Sequence, residues 1–302
     1  MRSSLRFVSA LALCLALFQT ATAQRRAPSP KVQPSPDAPR EVLQAPSLGG
    51  GALPYRVLLP LDYGRSIGRY PVLYLLHGYG GDESDWLTRT NLAEYAARYR
   101  LIVVLPGAGN NWYANSASDA NARYEDAIVR DLIPHIDRRY RTIASYHGRA
   151  IAGLSMGGLG AMKFALRYPQ LFAFAASFSG AFDVPRTGGL NGEPAPLGQS
   201  LMRIFGPKDS DTRRANDLFA LLERVRPDKV RLPYIYVATG TDDQLPSVRE
   251  SNPRLADALR AKGVAYEYHE RPGTHDWKFW DAEIKFALER MSEIIPQMRE
   301  RR

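Results

Sequence analysis

Ala150-Ile151-Ala152-Gly153-Leu154-Ser155-Met156-Gly157-Gly158 is the stretch that decides the fold. Its opening residues are apolar and strand-like, and residues 159–167 beyond it have helical character. Between them stands G-x-S-x-G, extended by Gly158. A serine on a sharp strand-to-helix turn needs small neighbours, because such a turn is strained and has no room for Cβ groups. The following helix points its N-terminal dipole and free N–H groups at the serine, favouring negative charge there. An ordinary tight turn with an incidental serine accounts for the glycines but not for strand before and helix after.

The alternation continues on both sides. Tyr55–Pro60, Val72–His77, Leu101–Pro106, Arg149–Leu154, Phe174–Ser179, Tyr234–Ala238 and Ala265–Glu270 read as strands. Several are unbroken apolar runs, such as Val72-Leu73-Tyr74-Leu75-Leu76, the pattern of parallel strands covered on both faces. Asp85–Tyr99, Arg123–Tyr140, Met156–Arg167, Pro253–Lys262 and Trp277–Met298 read as helices. Strand–helix alternation implies an open, mostly parallel sheet with helices on both sides, an α/β fold. The region Ala181–Leu232 breaks the rhythm with Gly188, Gly189, Gly192, Pro194 and Pro196, and is too long for a plain connection. It reads as a small insertion near the site. One catalytic domain is expected over residues 50–302, since a single α/β domain can run to about 250 residues.

Upstream, Arg2 and Arg6 precede an apolar run from Phe7 to Phe18, and Ala21-Thr22-Ala23 follows. This is the order of a secretory signal over residues 1–23, with cleavage expected between Ala23 and Gln24. The run is too short to cross about 30 Å of hydrocarbon. Cleavage would remove Cys14, the one cysteine of the chain, and the protein is expected to be secreted or periplasmic. Residues 24–49 hold six prolines and several Arg or Lys, and read as a basic, disordered spacer. The 302 residues are 45% apolar and 24% charged, which excludes collagen-like and wholly disordered chains. The net charge of +9 lies largely in the tails, and no basic helix or aromatic–basic platform points to nucleic acid.

A serine nucleophile needs a base, and the base needs an orienting acid. Of His77, His135, His147, His269 and His275, only His275 stands in the loop after the last strand, where a Ser…Asp…His order puts the base. His77 at its strand end suits orienting the glycine-rich loop His77-Gly78-Tyr79-Gly80-Gly81 rather than general base work. That loop can offer an N–H to complete an oxyanion hole with the N–H of Met156. Asp242, Asp243 and Asp183 all lie between Ser155 and His275, so chain order does not choose among them. H-E-x-x-H, a dinucleotide fingerprint and a P-loop are absent, so neither metal nor organic cofactor is expected.

Residues 71–280 resemble the putative-esterase family of α/β-hydrolases, which includes esterase D, tributyrin-type acyl esterases, feruloyl and acetylxylan esterases and the mycolyltransferases. The likeness rests on Leu75-Leu76-His77-Gly78-Tyr79-Gly80-Gly81, Ser84-Asp85-Trp86-Leu87, Asn110-Asn111-Trp112-Tyr113, Gly153-Leu154-Ser155-Met156-Gly157-Gly158, Ser177-Phe178-Ser179-Gly180-Ala181 and Gly273-Thr274-His275-Asp276-Trp277. It implies the α/β-hydrolase fold, with the insertion after that fold's sixth strand. Within Gly240-Thr241-Asp242-Asp243-Gln244-Leu245 it puts the acid on Asp243, and it implies Tyr79 as the second oxyanion donor. Gly78, Trp112, Tyr113 and Trp277 are then candidates for the substrate pocket. The expected activity is that of an exported serine carboxylesterase acting on small or carbohydrate-linked esters, such as acetyl or feruloyl esters. The competing readings are an acyltransferase with a sugar hydroxyl as acceptor and a non-catalytic surface binding protein on the same fold.

Overall fold

The computed structural model describes residues 38–187 and 195–299. The signal-like segment 1–23, its cleavage point and residues 24–37 of the spacer lie outside them.

Among the described residues eight strands form one sheet: β1 (Arg40–Ala45), β2 (Gly51–Leu58), β3 (Val72–Leu76), β4 (Ile102–Pro106), β5 (Arg149–Leu154), β6 (Phe174–Phe178), β7 (Tyr234–Gly240) and β8 (Tyr266–Arg271). They lie in the order β1-β2-β4-β3-β5-β6-β7-β8. β2 pairs antiparallel with β1 and β4, and the remaining neighbours are parallel. The period-2 alternation of a strand explains the apolar runs. In β3, Val72, Tyr74 and Leu76 enter the core on one face, while Leu73 and Leu75 enter a second core on the other.

The helices are α1 (Asp85–Arg89), α2 (Leu92–Ala96), α3 (Tyr124–Asp126), α4 (Ile133–Arg139), α5 (Met156–Arg167), α6 (Val184–Thr187), α7 (Ala195–Phe205), α8 (Asp211–Asn216), α9 (Leu218–Arg224), α10 (Pro246–Ala261) and α11 (Trp277–Ile294). α4, α5, α9 and α10 cover the first core, and α1, α2 and α11 the second. This is the expected doubly covered sheet. α6 to α9 fill the region after β6, so the break in rhythm there is a helical insertion.

The spacer expectation fails over its last ten residues. Arg40–Ala45 pairs with β2 from Arg40↔Arg56 to Ala45↔Gly51, so the domain begins before residue 50. Gly49 and Gly50, at φ 63° and 82°, make the left-handed turn between the two strands. As an edge strand with mostly solvated side chains, β1 is held by backbone hydrogen bonds that leave little apolar pattern to read. The helix expected from Pro253 starts earlier, at Pro246, whose missing N–H costs nothing in a first turn. Pro253 then lies in the helix interior, and the side chain of the preceding Asn252 donates from Nδ2 to Val248 O at 2.8 Å. The stretch expected as one helix from Arg123 to Tyr140 passes through a π-helical segment, Ala127–Leu132, next to Pro134, which cannot donate to Arg130 O.

Candidate active site

All the candidate residues lie at the end of the sheet where the parallel strands finish. Ser155 joins β5 to α5 at φ 49° and ψ −113°, a conformation that costs a non-glycine residue energy. Three backbone bonds over-determine it: Ser155 N–H donates to Phe178 O at 2.9 Å, while Leu159 and Ala181 N–H groups donate to Ser155 O at 3.1 and 3.2 Å. Close approach explains the flanking glycines. A Cβ on Gly153 would lie 2.4 Å from Gly157 O, and one on Gly157 would lie 2.6 Å from both Leu76 O and His77 O. The turn is therefore jammed against the end of β3, and α5 starts at Met156 with its N-terminus on Ser155.

His275 Nε2 stands 3.0 Å from Ser155 Oγ, and His275 Nδ1 stands 2.8 Å from Asp243 Oδ2. Asp243 is fully buried, and its other oxygen accepts the Leu245 N–H at 2.9 Å. With Nδ1–H donating to the carboxylate, the Nε2 lone pair is left facing the serine hydroxyl. The loops carrying acid and base dock closely. A Cβ on Gly240 would lie 2.4 Å from Gly273 O, and Asp242 N–H donates to that same oxygen at 2.9 Å. The Trp280 ring stands edge-on to the imidazole at 5.1 Å. The three acids differ in their surroundings. Asp242 is exposed and bonded to Thr241, and Asp183 is ion-paired with Arg186 and Arg254.

The other histidines have separate partners. His135 Nε2 meets Tyr55 OH at 2.9 Å, and His269 Nε2 meets Glu267 at 2.9 Å. His147 is exposed beside Tyr146. His77 is buried, and burial pushes its pKa down. Its Nε2 accepts the Ala108 N–H at 2.9 Å, which leaves Nδ1–H to donate to Gly78 O at 2.7 Å. Gly81 N–H donates to the same carbonyl at 3.2 Å. The glycine-rich loop sits directly against the serine, since a Cβ on Gly78 would lie 3.7 Å from Ser155 Cβ.

A cleft of about 320 Å³ opens over Ser155 and His275. Of the pocket candidates, Gly78, Trp112 and Trp277 line it, together with Tyr79. Tyr113 does not. It is fully buried beneath the loop, and its hydroxyl donates to His77 O at 3.2 Å. Adjacent residues in this turn point apart, and Trp112 takes the cleft side. Leu154, Leu197, Leu245, Trp280 and Asp85 also line the cleft, and none of them was singled out as a pocket residue from the sequence. Leu197 belongs to α7, so the insertion supplies one wall.

Trp112 and Tyr113 are both left-handed, at φ 54° and 49°. Buried Lys163, from α5, holds this turn: its Nζ donates to Tyr113 O at 2.7 Å and to Asn216 Oδ1 at 2.9 Å. Glu125 neutralises it at 3.0 Å and also binds Arg167 and Tyr168. Burial pushes the Lys163 ammonium down to about 8. Burial pushes the Glu125 carboxyl up, but Lys163 and Arg167 outweigh it and hold the group at about 2.

A sheet of this order, with a strained serine turn beneath an apolar cleft, defines a serine hydrolase on the α/β-hydrolase fold. Residues 47–291 match the family described as "Putative esterase". An acetyl esterase of Caldicellulosiruptor saccharolyticus is 33% identical over 226 residues, 74% of this chain and 83% of that protein. An endo-1,4-beta-xylanase/feruloyl esterase of Xylanibacter ruminicola is 35% identical over 253 residues, 79% of this chain but 28% of that longer protein. Among solved structures, the fluorophosphonate-binding serine hydrolase F of Staphylococcus aureus superposes with a TM-score of 0.73 at 26% identity, covering 84% of this chain and 97% of that one. The chain belongs to this esterase family, and it is a carboxylic ester hydrolase.

Proposed function

We propose that the protein is an exported carboxylesterase that cleaves short acyl or carbohydrate-linked esters through Ser155, His275 and Asp243. The observation that carries the proposal is the unbroken contact from Ser155 Oγ to His275 Nε2 and from His275 Nδ1 to Asp243 Oδ2, at 3.0 and 2.8 Å. Ser155 Oγ attacks the ester carbonyl carbon while His275 Nε2 takes the hydroxyl proton. Asp243 keeps the imidazole in the required tautomer and stabilises the imidazolium. The tetrahedral oxyanion is received by the N–H groups of Tyr79 and Met156. Each such donor is worth about 3 kcal/mol in the transition state. The Tyr79 assignment draws support from His77 and Gly81, which hold the Gly78 carbonyl. In a planar trans peptide the next N–H points the opposite way. The leaving alkoxide takes the proton from His275, and water then releases the acyl group by the same steps in reverse order of roles.

The aromatic walls made by Trp112, Trp277 and Trp280 suit flat apolar faces, those of a sugar ring or a phenolic acyl group. Similarity to an acetyl esterase and to a xylanase/feruloyl esterase favours the same substrates. Export rests on the charged, apolar and small-residue order of residues 1–23. A fluorophosphonate probe should label the wild type and not Ser155→Ala, and the variant should keep its fold while losing turnover. Labelling of Ser155→Ala would move the nucleophile elsewhere. Assays on p-nitrophenyl acyl esters and on acetylated and feruloylated xylan, with and without a free sugar acceptor, then rank the substrates. An acylated sugar as the main product would replace hydrolysis by acyl transfer.

A further inference from the structure

The end of the sheet opposite the cleft carries a second organised surface. Three loops meet there: residues 59–71 between β2 and β3, residues 140–148 leading into β5, and residues 225–233 leading into β7. They are continuous. Tyr70 and Thr142 form a parallel bridge, and Arg69 donates to Thr142 O at 3.1 Å. Tyr146 OH donates to Leu232 O at 3.1 Å, and the Arg231 guanidinium lies 4.5 Å over the Tyr146 ring.

Two properties coincide on these loops. Large apolar side chains stand in water: Leu61 is 74% exposed, Ile67 98% and Val230 40%. Two of them have cations beside them in sequence, Arg65 and Arg69 around Ile67, and Lys229 and Arg231 around Val230. Residues 59–71, 140–148 and 225–233 together hold six Arg or Lys against two Asp. Of those acids, Asp62 is already paired with Arg100 at 3.0 Å.

We propose that this pole docks the protein onto an anionic lipid bilayer. Separate apolar tips interleaved with cations fit the boundary between headgroups and acyl chains, where the tips leave water and the cations meet lipid phosphates. A soluble acidic polymer would engage the cations but would leave Ile67 and Leu61 in water. A protein partner would call for a contiguous apolar patch rather than isolated tips. Among the described residues no helix is long and apolar enough to cross a membrane, and the attachment proposed here is made by these loops. The cleft, at the other end of the strands, then faces away from the bilayer and stays open to substrates in solution. This docking does not depend on which ester is cleaved.

Vesicle flotation tests it. The protein should float with phosphatidylcholine vesicles containing roughly 30 mol% phosphatidylglycerol, stay behind with pure phosphatidylcholine, and be released by about 0.5 M NaCl. Arg226→Gln with Lys229→Gln should weaken binding about 30-fold, from roughly fivefold per cation. Ile67→Ser should weaken it about tenfold through loss of the inserted side chain. Both variants should hydrolyse p-nitrophenyl acetate like wild type, which shows that the fold is intact. Failure to float, or equal flotation on neutral vesicles, overturns the proposal. So does binding that needs the cations but is indifferent to Ile67→Ser and is matched by polygalacturonate. That result would make the partner an acidic polymer.

Discussion

Lys163→Met removes a buried cation and keeps its length. Three contacts disappear: those to Tyr113 O, Asn216 Oδ1 and Glu125, at 2.7, 2.9 and 3.0 Å. Glu125 remains compensated by Arg167 and Tyr168, so no buried charge is stranded. Tyr113 O and Asn216 Oδ1 lose their donor, at about 1–3 kcal/mol for each buried acceptor. Part of this is returned because methionine has no charge to desolvate. The net loss is about 3 kcal/mol, and a domain of this size should melt roughly 6–12 °C lower. Lys163 also ties the left-handed Trp112–Tyr113 turn to α5, so loosening it moves a cleft wall, and KM should rise more than kcat falls. Glu125→Gln should be worse at neutral pH, costing about 3–5 kcal/mol by leaving the ammonium unpaired. It should recover as pH rises and Lys163, whose lowered pKa falls further once the Glu125 charge is gone, gives up its proton. Thermal melts at pH 7 and 9.5 with steady-state kinetics on a p-nitrophenyl ester read both effects. A Lys163→Met melt within about 2 °C of wild type, with KM unmoved, would refute this account of the turn.

Asp243→Asn should lower kcat by about 10⁴ by offering His275 the wrong hydrogen-bond partner, while Asp242→Asn, at an exposed carboxylate, should keep most activity. Comparable losses in both would show that the buried contact does not orient the imidazole. Gly157→Ala would bring a Cβ to 2.6 Å from two backbone oxygens of β3, so the protein should lose more than about 3 kcal/mol in denaturant melts, and wild-type stability would contradict the packed turn. Glu125 is held at about 2 in the folded protein against an ordinary value of 4.5, so the folded state binds fewer protons here than the unfolded one. Its stabilisation is complete above pH 4.5 and is lost as pH falls toward 2. Acid titration of stability should show this loss in wild type and not in Glu125→Gln.

The strands were legible because being covered on both faces leaves unbroken apolar runs, and the serine turn because its glycines are demanded by backbone contacts. β1 was not, since an edge strand held by backbone bonds writes little into its side chains. Nor was α10's start, because a proline looks like a beginning and Pro253 is an interior residue. Motif order placed His275 but left the acid open, and only family resemblance singled out Asp243. In the structure Asp243 is buried against His275 and Asp242 is exposed. Lys163 was invisible for the opposite reason: a lysine within a helix reads as solvated, and nothing local announces that a carbonyl from a distant turn awaits it. The assignment of Tyr113 to the cleft failed because two neighbours in a turn cannot both face one side.

β8 is an edge strand whose residues are mostly only half-buried, and His275 hangs from the loop that follows it. Ser155 lies 120 residues away, in the turn that ends a strand deep in the sheet. The two therefore belong to regions of unequal resistance to opening, since partial unfolding releases weakly buried edges first. Peeling β8 from β7 would carry the imidazole off the serine while the inner strands stayed paired. Heat inactivation should accordingly run ahead of the loss of secondary structure. On refolding, activity should return last, as the signal that the outermost strand has closed.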